Sequence, residues 1–175
     1  GVEDIPEPVM TAGLPWNWES FPDYLDSIEG RAYDIDIATQ VPHAPLRVFV
    51  MGDRAAERDP ATSDDIAQMA RLAREAIEAG APGGPPTLTY SYAAACDELV
   101  GIARGVAESG KGVLQFISDF DDIDSEFQIV ERMVAESGRP LSLSLLQSSR
   151  NPDNWRGLLG KVEQARAGGA PIRAQ

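Results

Sequence analysis

An α/β fold built on a parallel sheet is the class this sequence predicts, and three observations predict it. Glycines 80, 110, 138 and 168 recur at intervals of 30, 28 and 30 residues, each closing a segment of helical periodicity. Behind three of them comes a short β-prone run: Val113 to Ile117 (VLQFI), Leu141 to Leu146 (LSLSLL) and Pro171 to Gln175 (PIRAQ). The length of one unit matches a strand plus the dozen or more residues that a parallel crossover needs. Repeated βα units make a parallel sheet, either doubly wound or closed as a barrel.

The first forty residues lie outside this pattern. Pro6, Pro8, Pro15 and Pro22 interrupt any long helix, and Trp16, Trp18, Phe21, Tyr24 and Tyr33 crowd the same stretch. Such a segment is either a lid over a site or a flap packed on the body of the fold. Phe21 to Ile28 reads as a short helix, with Pro22 at its start and Ser20 near the cap. Ile35, Ile37, Thr39 and Val41 then alternate as in a half-buried strand, and Leu46 to Met51 (LRVFVM) is a second β-prone run. Thr62 sits three residues before Asp65, an N-cap with an acid in the first turn. The helix it opens carries Ile66, Met69, Ala70, Ala73, Ala76 and Ile77 on one face and stops at Gly80. Further helices are expected over Asp97 to Ser109, Glu126 to Ser137 and Asp153 to Ala167.

The repeat has a gap. Where a strand is due after Gly80 the chain reads Ala81-Pro82-Gly83-Gly84-Pro85-Pro86, which is incompatible with a central strand. Either this unit, interrupted near 82–92, lacks its strand, or residues are missing from it. Leu88 to Tyr92 (LTYSY) is a candidate displaced β segment.

At 175 residues and 18.8 kDa the chain suits one domain: an irregular segment over 1–34 and βα units over 35–175. Apolar residues make up 43% and charged residues 25%, which excludes a disordered tail, a collagen-like fibre and a disulfide scaffold. Acids outnumber bases 28 to 15, a net charge of −13 that argues against nucleic acid and anionic membranes as partners. No apolar run approaches a membrane span. The single cysteine, Cys96, fits a reducing, cytoplasmic compartment. The opening Gly1-Val2-Glu3-Asp4 resembles no signal peptide and lacks Met, so the chain reads as a processed, tagged or excised piece.

Several residues are candidates for chemistry. His43, the single histidine, lies between the two early β-prone runs; it is either a strand-end site residue or a hydrogen-bonded turn histidine. Alone it cannot build a histidine-based zinc site. Asp119, Asp121, Asp122 and Asp124 follow VLQFI, four carboxylates in six residues. They suit a hard cation or acid–base work, or else a βα loop whose acids cap the next helix. Asp34 and Asp36 share one face at a strand start, a place that serves stability. Ser142 and Ser144 share one side of LSLSLL and would border a polar cavity. Cys96 near a helix start is a nucleophile only with His43 as its base. No phosphate-binding loop, dinucleotide fingerprint, serine elbow or zinc-protease helix motif occurs.

Two phrases carry a resemblance. One reads Pro15, Trp18, Ser20, Phe21, Asp23, Tyr24, Leu25; the other reads His43, Leu46, Arg47. With DIATQVPHAPLRVFVMG, REAIEAGA and GKGVLQFISDF they resemble the amidohydrolase-3 family, the group of D-aminoacylase and N-acyl-D-amino-acid deacylase. The likeness covers nearly all of the chain outside 82–92. It implies a zinc-dependent (β/α)8 TIM barrel, of which this chain is a central part, and hydrolysis of the amide in an acylated D-amino acid. It also implies an H-x-H and a metal-binding Cys upstream of Gly1, a catalytic Asp downstream of Gln175, and two histidines within the span. Where those two belong the chain reads Phe116-Ile117 and Ser144-Leu145-Leu146-Gln147, so the zinc ligand set is incomplete here.

On this resemblance the substrate is a small acylated amino acid, and His43, Arg47, Gln115 and Asp119 are the substrate-binding candidates. Arg47 can clamp a carboxylate with two parallel hydrogen bonds, or else serve in a surface salt bridge. The open edges of a partial sheet would meet the remainder of the barrel or a second copy. The competing reading is a non-enzymatic α/β binding or interaction module derived from such a barrel.

Overall fold

The computed structural model describes residues 6–81, 83–84, 93–147 and 149–175. Two compact units divide the chain, one running through Ile37 and the other from Ala38 to Gln175.

In the first unit Pro6 and Pro8 open a short helix, α1 (Glu7–Gly13), where their fixed φ suits a first turn. The expected second helix is present as α2 (Phe21–Glu29). Ser20 accepts from the Asp23 amide, and the Asp23 carboxylate accepts in return from the Ser20 amide at 2.9 Å. The aromatics pack on one another: Trp16 on Trp18 at 5.9 Å, Trp18 on Tyr24 at 5.2 Å and Phe21 on Tyr24 at 5.7 Å.

Both early β-prone runs behave otherwise than expected. No strand spans Ile35 to Val41; Gln40 is a lone bridge residue, and Ile35 and Ile37 are exposed. Leu46 to Met51 belongs to a helix, α3 (His43–Met51), with Pro42 as N-cap and Pro45 tolerated in the first turn. Its buried positions are His43, Ala44, Leu46, Arg47 and Met51, a helical stripe in which two members are polar. Counting only apolar residues hides that stripe, because a short apolar run does not distinguish strand from helix.

After a single turn, α4 (Asp53–Ala56), the chain enters α5 (Ser63–Ala79) through the expected cap. Thr62 accepts from the Asp65 amide, and Asp65 accepts from the Thr62 amide at 2.8 Å. The remaining helices, α6 (Cys96–Glu108), α7 (Ile123–Ser137) and α8 (Asn154–Ala167), lie within three residues of their expected bounds. Gly138 closes α7 with φ of 64°, a conformation costly for any residue with a Cβ.

Four parallel strands stand in chain order: β1 (Gly83–Gly84), β2 (Val113–Phe116), β3 (Leu141–Leu143) and β4 (Ile172–Ala174). The gap after Gly80 is thus occupied by a two-residue edge strand, Gly83 pairing with Val113 and Gly84 with Leu114. The strand is only two residues long, so neither flanking proline is asked for a ladder hydrogen bond. Leu88 to Tyr92 lies outside the described residues. Leu114, Leu141 and Ile172 are in register, as are Gln115, Ser142 and Arg173 one residue on.

Successive helices pack on one another, α5 on α6, α6 on α7 and α7 on α8, so they form one layer. Parallel crossovers are right-handed, and strands in chain order therefore send every crossover helix to the same face. Leu114, Phe116, Leu141, Leu143 and Ile172, each at most 4% exposed, meet that layer. Gln115, Ser142 and Arg173 point to the face without helices, by the period of two. Within the helix layer α5 and α6 approach most closely: a Cβ at Gly105 would fall 2.3 Å from the Ala70 carbonyl oxygen. None of the described helices is long and apolar enough to cross a membrane.

Three consequences are measurable. Gly105→Ala wedges a methyl group into the α5–α6 contact and lowers unfolding free energy by at least about 1–3 kcal/mol in urea titrations. Thr62→Ala removes a cap and costs about 1 kcal/mol. The Arg54 guanidinium, with help from the Thr62 amide, holds the Asp65 carboxyl at about 2. Its folded value lies below the unfolded one, so its contribution is full above about pH 4 and disappears as pH falls through about 2. Urea midpoints at about pH 5 and about pH 2.5 should converge more in Asp65→Asn than in the parent.

Candidate functional site

The residues proposed from sequence occupy two places. His43 and Arg47 lie one turn apart on α3, which puts them on one face. That face meets the first turn of α6, where Glu98 stands. Glu98 Oε1 accepts from His43 Nε2 and from Arg47 Nε, both at 2.9 Å. Arg47 Nη2 also donates to the Asp59 carbonyl, so one guanidinium ties α3 to α6 and to the turn ahead of α5. All three side chains are removed from solvent: His43 and Arg47 are 0% exposed and Glu98 1%. His43 therefore stands at a helix start, not at a strand end. Arg47 is part of a buried ion pair, not a surface one. The Glu98 carboxylate also lies in the first turn of its helix, where the backbone dipole favours negative charge.

Glu98 is the residue that sequence reasoning missed. The signal was available: Glu98, Ile102 and Val106 fall on one stripe of α6, and a carboxylate on an otherwise apolar stripe needs a buried cation. Cys96 opens the same helix, and its sulfur accepts from Arg132 Nη1 at 3.4 Å.

Gln115 and Asp119 belong to the second place, the carboxyl end of the sheet. Gln115 lies on β2, half-buried on the face without helices and in register with Ser142. Asp119 is exposed in the loop that follows. Glu126 organises that loop from α7. It accepts from the Ser118 hydroxyl, from the Phe120 amide and, at 3.2 Å, from the Asp122 amide. Phe120 takes φ of 50° and turns its buried ring against Phe116 at 5.9 Å.

Of the four aspartates in this run, three are committed to structure. Asp121 accepts from Arg150 at 2.6 Å and from Asn151 at 3.2 Å, joining the loops after β2 and β3. Asp122 caps α7, and the Ser125 hydroxyl and amide hold its carboxyl below the usual range. Asp124 pairs with Lys161 at 2.5 Å. Asp119 makes no ion pair or hydrogen bond among the described residues. The capping reading of the acidic run therefore holds for Asp122, and Asp119 is exposed with no such role among the described residues.

The donors present do not fit a zinc ion. Ile117 and Leu145 stand at the ends of β2 and β3, His43 is spent on Glu98, and Cys96 faces a guanidinium. Among the described residues no three His, Cys, Asp or Glu side chains are grouped to hold a metal.

A family model described as the amidohydrolase family matches residues 5–174. A D-aminoacylase from Alcaligenes xylosoxydans xylosoxydans is 32% identical over 107 residues, 60% of this chain and 22% of that protein. An N-acyl-D-glutamate deacylase from the same organism is 30% identical over 156 residues, 85% of this chain and 31% of that protein. The chain thus spans less than a third of the length of these relatives. Among solved structures, a mutant D-aminoacylase in complex with copper chloride superimposes with a TM-score of 0.80 at 24% identity, covering 98% of this chain and 37% of that one. A D-aminoacylase crystal structure gives 0.79 at 23% identity, with 98% and 37% covered. The fold is shared with these proteins.

Glu98→Ala deletes the buried carboxylate to which both His43 and Arg47 are hydrogen-bonded, and should cost about 3–5 kcal/mol of unfolding free energy. Denaturant titration of the full-length protein checks this, and a loss under about 1 kcal/mol would mean that the three groups are not jointly buried.

Proposed function

This chain belongs to the amidohydrolase family, and from that premise we propose that its protein hydrolyses the amide bond of an N-acylated D-amino acid. The observation that carries the reading is the family match over nearly the whole chain, and relatives named D-aminoacylase and N-acyl-D-glutamate deacylase support it. The chain is then one domain's central portion, consecutive units of a (β/α)8 barrel. Chain-ordered strands with one layer of helices support the barrel over a doubly wound sheet, whose strand order reverses and whose helices cover both faces. The open edges β1 and β4 would pair with further strands of the same protein.

In this reading substrate lies over the carboxyl ends of β2 and β3. The Gln115 amide both donates and accepts, which suits an acyl amide. Asp119 is the carboxylate that takes or returns a proton at the amide nitrogen. His43 and Arg47 have no surface for a ligand; they act at one remove, through Glu98, by fixing α3 against α6. A zinc ion in the full-length protein would need ligands from outside the described residues.

A second reading has its own observation. Ile117 and Leu145 stand where the family resemblance implies histidines, which favours a binding module built on an amidohydrolase barrel. One experiment separates the two. The full-length protein is assayed for bound zinc and for free amino acid released from N-acyl-D-amino acids and their L counterparts. Stoichiometric zinc with D-selective release supports the hydrolase, and Asp119→Asn then lowers kcat by about a hundredfold or more. A metal-free, inert protein supports the module.

A further inference from the structure

Glu98 carries an asymmetry that its ion pair leaves unexplained. Oε1 accepts from both His43 and Arg47, whereas Oε2, equally shut off from solvent, accepts from no group among the described residues. A carboxylate oxygen offers two lone-pair sites, and burying one without a donor costs about as much as several ordinary hydrogen bonds contribute. Native interiors seldom leave such an atom unsatisfied, and enclosed water is the usual partner where no side chain reaches.

The occupant of this position is narrowed by its surroundings. The three side chains are at most 1% exposed, so no group of a docking partner reaches Oε2 in this arrangement. An anion is repelled by the carboxylate. A metal ion needs several oxygen or nitrogen donors, and the described residues supply no such group. Arg47 already neutralises Glu98, so a further cation would bury net charge. A neutral donor small enough to be enclosed meets all four conditions. Thr39 Oγ1, four residues ahead of His43, is a second buried oxygen without a partner among the described residues.

We propose that Glu98 Oε2 holds an enclosed water molecule, which completes the junction of α3 and α6. The site is independent of the hydrolase reading, because it lies in the interior and not over the strand ends. A crystal structure of the full-length protein at about 1.5 Å resolution tests it directly. An ordered water at hydrogen-bond distance from Oε2 is expected. Empty density there overturns the proposal, and so does a donor from the chain itself. In solution the paired variant Arg47→Met/Glu98→Met removes both charges together. Its oxygen-17 magnetic relaxation dispersion should show one long-lived water fewer than the parent, and an unchanged amplitude overturns the assignment.

Discussion

The order of the strands constrains almost everything else in the larger unit. Because β1 to β4 follow one another across the sheet and their crossovers share one hand, the helices have a single face available to them. That face takes the apolar members of each strand, Leu114, Leu141 and Ile172 among them, and the alternate positions are left for something other than helix. A polar row of Gln115, Ser142 and Arg173 results, alongside the strand ends from which a barrel enzyme would work. The fold thus separates an apolar face, which packs against the helices, from a more polar one that they leave uncovered.

Much of this arrangement was legible in the order of residues, for a definite reason. Helix ends that need positive φ or must stop abruptly select glycine, so the spacing of glycines records the spacing of βα units. Hence VLQFI, LSLSLL and PIRAQ do lie side by side and run the same way. The pattern failed where pairing across the structure overrules local preference. LRVFVM looks like a strand while His43 and Arg47 are counted as polar, and becomes a helical stripe once Glu98 is known to face them. One long-range interaction, spanning more than fifty residues of chain, conceals both the helix and the buried junction. Gly83 and Gly84 failed for a different reason: their composition excludes a central strand but says nothing against an edge.

The same contrast separates the two groups of candidate residues. Asp121, Asp122 and Asp124 look chemically rich in sequence, yet each is committed to a turn, a cap or an ion pair. Asp119 and Gln115 have no such commitments among the described residues and sit where parallel sheets present their ligands. His43 and Arg47 are buried instead, and a buried guanidinium with its carboxylate can fix a helix orientation that apolar contact alone leaves adjustable.

The glycine edge strand has a further consequence. With no side chains on β1, sliding a neighbour along it by one residue inverts nothing on the β1 side, so the usual penalty against misalignment is missing there. Whatever strand joins that border must carry its own alignment, in its hydrophobic alternation or in the length of the segment that delivers it. Errors of assembly should therefore concentrate at this border and spare the opposite one, where Ile172 and Ala174 pin the alignment of β4.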